Sequence, residues 1–171
     1  MGSHYGTLVE AAAYFEERLH TESWDDSNTT DRTKALYEAT RIIDALNFKG
    51  YRASVYIILD ANPDATDAEI RAAELDQDLE FPRDEDAEVP TAIKQAAFEI
   101  AYALLDGRDP EQDFENLAAT GQRYGASVST SYDRQQAPQL HIANGVPSLR
   151  AWHLLQPFLR DSNEVRLDRV T

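Results

Sequence analysis

The stretch Val89–Gly107, VPTAIKQAAFEIAYALLDG, decides the fold. Ile93, Ala97, Ile100 and Leu104 recur at three- and four-residue steps and line one face of a helix. Pro90 suits the first helical turn, where its missing N–H costs nothing, and Gly107 supplies the stop. One face of this helix has to be buried, and the segments on either side provide further helices to bury it against.

Upstream, Tyr5–Trp24 reads YGTLVEAAAYFEERLHTESW. Thr7 and Glu10 have capping-box spacing: the hydroxyl takes the amide three residues on and the carboxylate reaches back to the cap amide. Leu8, Ala12, Phe15 and Leu19 then form the expected apolar stripe, with Glu10, Glu16, Glu17 and Arg18 facing water. Tyr14, Phe15 and Trp24 read as core packing. A second long helix is expected over Thr30–Phe48, with Leu36, Ala39, Ile43 and Leu46 on one side, Thr29 or Thr30 as cap and Gly50 as stop.

Asn62-Pro63-Asp64 marks a turn, and Thr66 with Glu69 repeats the capping box to open a shorter helix through about Leu75. The run Ala53–Leu59 between them reads equally as a short buried strand or a helix. Leu79–Arg83 should be extended, because Pro82 pushes Phe81 out of helical geometry, and an acidic turn follows at Asp84–Glu88. Downstream, Asp109-Pro110 caps and starts a helix to about Ala119, and Gly121 and Gly125 release the chain. Ala126–Tyr132 alternates as one short strand. A last helix begins near Pro147, with Leu149, Trp152, Leu155 and Leu159 as its stripe and Phe158 beside them. Pro157 tightens or kinks its final turn.

The expected architecture is mainly α: a compact bundle of about five helices over residues 1–160, a short β element near 126–132, and an extended C-terminal arm over 161–171. In that arm Val165, Arg166, Leu167 and Asp168 alternate as in a strand. It reads either as a frayed terminus or as an arm that adds to a neighbouring subunit through main-chain hydrogen bonds.

The 171 residues carry a formal net charge of −15 and no cysteine. The charge opposes binding to polyanions, whose affinity comes from cations that displace counterions. The acidity serves solubility, or a surface that DNA passes without sticking. Without cysteine there is no disulfide framework and no thiolate metal site. No apolar run reaches the roughly 18–20 residues of a membrane span, and the first residues lack the pattern of a signal peptide.

Motifs for chemistry are missing. Asp60, Asn62 and Asp64 open like a calcium loop, but Ala65 stands where glycine is required and Arg71 where the bidentate glutamate belongs. His4, His20, His141 and His153 form no paired-ligand pattern. No nucleophile elbow, phosphate loop or dinucleotide fingerprint is present. We therefore expect neither an enzyme nor a cofactor or metal site. One cationic and aromatic group, Lys49, Tyr51, Arg52 and Tyr56 with Arg41 upstream, could hold single-stranded nucleic acid by charge and stacking, or could complete a core.

The blocks YGTLVEAAAYFEERL with Trp24, ATRIIDALNFKGYR, LEFPR, VPTAIKQAAFEIAYALLDG, DPEQDFENL, SYDR and IANGVPSLRAWHLLQPFL, in this order, resemble the tailed-phage head-to-tail connector (adaptor) proteins. Some of those carry an inherited label as single-stranded-DNA-binding proteins resembling a primosomal protein. The resemblance spans about Tyr5 to Val170, and residues 53–75 depart from it as an expected insertion. It implies a small helical virion protein, made in the host cytoplasm, that forms a roughly twelvefold ring under the portal protein. Such a ring meets further neck or tail proteins and extends the DNA channel without catalysis or specific DNA binding. It also implies that the C-terminal arm engages the portal, which places Arg160, Val165, Arg166, Leu167, Arg169 and Val170 at that contact. Acidic side chains such as Asp84, Glu85 and Asp86 are then expected along the channel. The alternative reading is a single-stranded-DNA-binding module built on Lys49, Tyr51 and Arg52.

Overall fold

The computed structural model describes residues 3–118, 121–124, 128–131 and 140–160. It is mainly helical, as the periodicity demands. In chain order come α1 (Leu8–Glu16), α2 (Glu22–Asp25), α3 (Thr29–Asp44), α4 (Ala53–Ala61), α5 (Asp67–Asp76), α6 (Thr91–Leu105), α7 (Pro110–Ala118), β1 (Gly121–Tyr124), β2 (Val128–Ser131), α8 (Leu140–Ala143) and α9 (Leu149–Leu155). A 3-10 turn at Gln156–Phe158 follows α9 and carries Pro157.

The helix predicted over Val89–Gly107 is the centre of the molecule. Packed between α3 and α9, and touched by α1 and α2, α6 buries Ile93, Ala96, Ala97, Phe98, Glu99, Ile100, Ala101 and Ala103. Gly107 closes it at φ +85°, and Arg108 N–H reaches back to the Ala103 carbonyl at 3.0 Å, the geometry that retires orphan carbonyls at a helix end. Tyr5, Phe15, Trp24, Leu36, Ile43, Phe48, Phe81, Val146, Trp152 and Leu155 complete the core around it. Gly6, at φ +73°, lies so close to α6 that a Cβ there would fall 2.5 Å from Phe98 Cζ.

Both capping boxes form: Glu10 N–H donates to Thr7 Oγ1 at 3.1 Å with Glu10 returning to the Thr7 amide, and Thr66 with Glu69 repeats the pattern. The first helix is shorter than its stripe predicts. The helical stretch α1 ends at Glu16, the chain turns through His20 at φ +60°, and α2 carries Trp24 back into the core. Leu19 is consequently 82% exposed and Ala12 is exposed too, while Ala11 and Phe15 are the residues buried. Arg18, expected in water, is instead packed against Tyr102 with its guanidinium carbon 4.1 Å from the ring centroid.

Several boundaries move for identifiable reasons. Asn28, a stronger cap than either threonine, accepts the Asp31 amide at 3.0 Å and starts α3 at Thr29. The predicted run to Phe48 stops at Asp44, because Phe48 is extended and bridges Leu159. Ala53–Leu59 resolves as helix: α4 packs on α5, and the two fill residues 53–76 with a helical hairpin. Asp109 caps α7 through the Glu111 amide at 3.0 Å. Gly121 does not simply release the chain. It begins β1, which pairs antiparallel with β2 in the register Gly121↔Ser131 to Tyr124↔Val128, so the expected lone strand is half of a hairpin. Its flanks Ala126 and Tyr132 lie outside the described residues. Ser148 caps α9, where Ala151, Trp152 and Leu155 are buried and Leu149, placed in the expected stripe, is exposed.

Candidate functional site

The residues singled out near the C-terminus begin at Arg160, and the structure shows what holds that point. Leu159 and Phe48 form an antiparallel bridge; Lys49 N–H donates to the Phe158 carbonyl at 2.9 Å, and Arg160 N–H donates to the Asn47 carbonyl at 3.0 Å. Three successive residues of the chain end are thereby clasped to residues 47–49. Val165, Arg166, Leu167, Arg169 and Val170 lie outside the described residues.

The same segment is tied on its other side to residues 80–84. Arg52 and Arg83 bridge, Ala53 N–H donates to the Pro82 carbonyl at 3.0 Å, and Tyr51 N–H donates to Asp84 Oδ1 at 2.8 Å. Glu80 is the hub of this seam. Its carboxylate takes Arg52 Nη2 at 2.6 Å and Arg83 Nη1 at 2.5 Å. Arg83 also donates to the carbonyls of Lys49 and Gly50, at 2.8 and 2.7 Å, and Arg52 to those of Glu74 and Gln77, at 2.9 and 3.0 Å. Hydrogen bonding to Glu80 raises the Arg52 pKa above its ordinary value, so the cation is held in its charged form by partners already in place.

That answers the nucleic-acid grouping directly. Of Lys49, Tyr51 and Arg52, the last spends its guanidinium on Glu80 and two carbonyls, tying α4 to the end of α5; Lys49 is exposed, and Tyr51 is bonded through its backbone to Asp84. Tyr56, grouped with them, donates its hydroxyl to Glu85 at 3.1 Å. Arg52 and Tyr56 thus each meet a carboxylate, Glu80 and Glu85, while Arg41, grouped with them, pairs with Glu38 on α3 at 3.0 Å.

Between this seam and the α4–α5 hairpin lies a groove of about 660 Å³, whose apolar wall is Leu46, Val55, Leu59, Ile70 and Leu75 and whose rim includes Glu74 and Arg160. Leu75 is 78% exposed. On the other side of Arg160 a second groove of about 530 Å³ runs past Lys49, Asn144, Trp152 and Leu159. Arg160 therefore stands between two grooves. Residues 60–88, from the end of α4 through α5 and the loop after it, carry twelve carboxylates against two cations, Arg71 and Arg83, and so hold −10 of the chain's formal net charge of −15. Asp84, Glu85 and Asp86 are exposed at its edge.

A second polar cluster, overlooked in the sequence, lies in the core. Glu99 is 1% exposed; Arg18 Nη2 stands 3.1 Å and Arg150 Nη1 3.2 Å from its oxygens, and the Tyr14 hydroxyl donates to it at 2.7 Å. Helices α1, α6 and α9 meet on one carboxylate. The signal was available: Glu99 is the only charge in Ala96–Leu105, and a charge inside an apolar helical run calls for cations from elsewhere. Burial, reinforced by Glu99, pushes the Tyr14 pKa up to about 12. The nearby Tyr5 hydroxyl donates to Asp44 and receives the Phe81 amide, and burial raises it as well. A phenol whose folded pKa exceeds its unfolded value of about 10 leaves the unfolded chain with fewer protons, so stability falls as pH rises from there. Denaturation midpoints measured from pH 9 to 12 should decline, and Tyr14→Phe should remove part of the slope above pH 10.

Among the described residues, no group of three or more His, Asp or Glu side chains could hold a metal, and no helix is long and apolar enough to cross a membrane. Asp60 is in the last turn of α4 and Asn62 and Asp64 are in the turn before α5, all three exposed. His4 packs edge-on to Tyr37 at 4.9 Å, and His141 is held below its usual pKa by burial and by Arg108. No family model, curated protein or solved structure matches the chain.

Proposed function

We propose that the chain is a structural, non-catalytic adaptor that joins a portal protein to further neck or tail components. Subunits form a ring, about twelvefold, through which DNA passes without specific binding. One observation carries the reading: five of the seven sequence blocks that resemble phage connectors supply most of the core. Tyr5, Phe15 and Trp24, then Ile43 and Phe48, then Phe81, then Ile93 to Ala101, then Val146, Trp152 and Leu155 come from five of those blocks and join one buried cluster. The clasp at Phe48–Leu159 then fixes the point from which the C-terminal arm starts. The concentration of carboxylates over residues 60–88 supports a wall that DNA slides past, since like charge prevents local trapping. The single-stranded-DNA alternative loses support from the geometry, because Arg52 is committed to Glu80.

The test is deletion of Asp161–Thr171. The full chain, mixed with the portal ring of the phage that encodes it, should co-sediment in about twelve copies, and the truncated chain should stay free while melting at the same temperature. Unchanged co-sedimentation after truncation would overturn the arm; failure of the full chain to bind would overturn the adaptor.

A further inference from the structure

We infer that the groove of about 530 Å³ past Lys49, Trp152 and Arg160 binds a short acidic peptide segment of a partner protein, one that offers a carboxylate or two beside an apolar side chain. A groove of this make selects such a segment whether or not the chain is an adaptor.

Its lining runs against the rest of the chain. With 31 Asp and Glu against 16 Lys and Arg, the protein neutralises most of its cations at home, and among the described residues eight of them pair with a carboxylate. Lys49 and Arg160 are not among these eight, and both line this groove. No Asp or Glu lines it with them, whereas the groove on the other side of Arg160 includes Glu74 and Glu80. The two cations are far apart in sequence and are rooted side by side by the clasp, through Lys49 N–H on the Phe158 carbonyl at 2.9 Å and Arg160 N–H on the Asn47 carbonyl at 3.0 Å.

The groove also supplies what a peptide requires besides charge. Asn47 and Gln156, both exposed, present carboxamides that can bond a peptide main chain, and Asn144 braces the wall by donating to the Leu140 carbonyl at 2.7 Å. Trp152 and the exposed Leu140 give an apolar surface for a neighbouring side chain. The volume falls within the roughly 300–1,000 Å³ of ligand clefts, and hydrogen bonds from Lys and Arg to a carboxylate are about twice as strong as neutral ones. A nucleic acid fits less well. Its affinity grows with the phosphates met by cations, of which this groove has two, and the acidic stretch 60–88 reaches Arg160 across the neighbouring groove and repels a long polyanion.

The probe is a fluorescein-labelled peptide of alternating glutamate and leucine, read by anisotropy against the full chain. Binding should saturate, and it should weaken about tenfold or more with glutamine in place of glutamate, or in Lys49→Glu or Arg160→Glu, each melting at the parent temperature. Arg71→Glu makes the same change of charge at an exposed position of α5 outside the groove, and should leave affinity within about twofold. No saturable binding would overturn the proposal, as would an equal loss in Arg71→Glu or indifference to Lys49→Glu and Arg160→Glu. Tighter binding of a labelled oligothymidylate would assign the groove to nucleic acid, tighter binding of a peptide of residues 161–171 would assign it to the chain's own end, and a dimer abolished by Lys49→Glu would assign it to a second copy; each of these results overturns the acidic partner.

Discussion

Glu99→Ala is expected to lower the unfolding free energy by about 3–5 kcal/mol, the cost of leaving a buried cation without its counter-charge. Arg18 is the reason. Its side chain is only 16% exposed and stacks on Tyr102, so the cation cannot turn out to water once the carboxylate is gone. Arg150, 59% exposed on the other side of the carboxylate, can turn to water, so Arg150→Ala should cost far less. The pairing itself need not be stabilising relative to an apolar core. Replacing Arg18 by Met together with Glu99 by Leu should therefore recover most of the loss, whereas either change alone should not. Guanidinium melts of these five variants decide the matter, and a loss below about 1 kcal/mol for Glu99→Ala would remove the network from the account of stability.

Trp24→Ala should cost about 3–5 kcal/mol, while Leu19→Ser, five residues earlier, should stay within about 0.5 kcal/mol of the parent. Trp24 is 2% exposed, its ring lies 4.7 Å from that of Phe15, and Arg32 sits over it at 5.2 Å while donating to the Trp24 carbonyl at 2.9 Å. The aromatic contact adds roughly 0.5–1.5 kcal/mol to what burial alone supplies. Leu19, 82% exposed, has nothing comparable to lose. A helix running unbroken to Leu19 demands the opposite ranking, so thermal melts of the two variants test the break at His20 directly.

That break shows where the sequence is legible and where it is not. Capping boxes at Thr7 and Thr66, the Asp109 cap and the Gly107 stop depend on residues two to five apart, and they form as expected. The helix predicted over Val89–Gly107 forms because its apolar face, from Ile93 to Ala103, is core, so the local pattern left little choice. Features that depend on distant partners were hidden. Tyr14 and Glu99 are 85 positions apart, and Glu99 and Arg150 are 51 apart, so Arg18 looked like an ordinary solvent-facing cation. Ala53–Leu59 is ambiguous on its own because its helical state is settled by packing against α5 and by Arg52 holding the carbonyls at the end of that helix.

The candidate site was legible in a similar, partial way. Arg160 is named only because the resemblance sends the C-terminal arm to the portal; it lines a groove whose wall comes from Leu46 and from α4 and α5, elements whose approach no local pattern reveals. The Lys49, Tyr51 and Arg52 grouping was legible as charge beside aromatics, but Glu80, which neutralises Arg52, lies 28 residues away.

The clasp at residues 47–49 also has a mechanical meaning. A pull on the C-terminal segment would not simply unwind α9 from its end, because Lys49 N–H on Phe158 and Arg160 N–H on Asn47 share the load at once. The strain passes into the backbone at Lys49 and Gly50, whose carbonyls are gripped by Arg83, and from there to the Glu80 hub and the α4–α5 hairpin. Tension on the tail is thus borne by the middle of the chain, as a rope is borne by a cleat set back from the deck's edge.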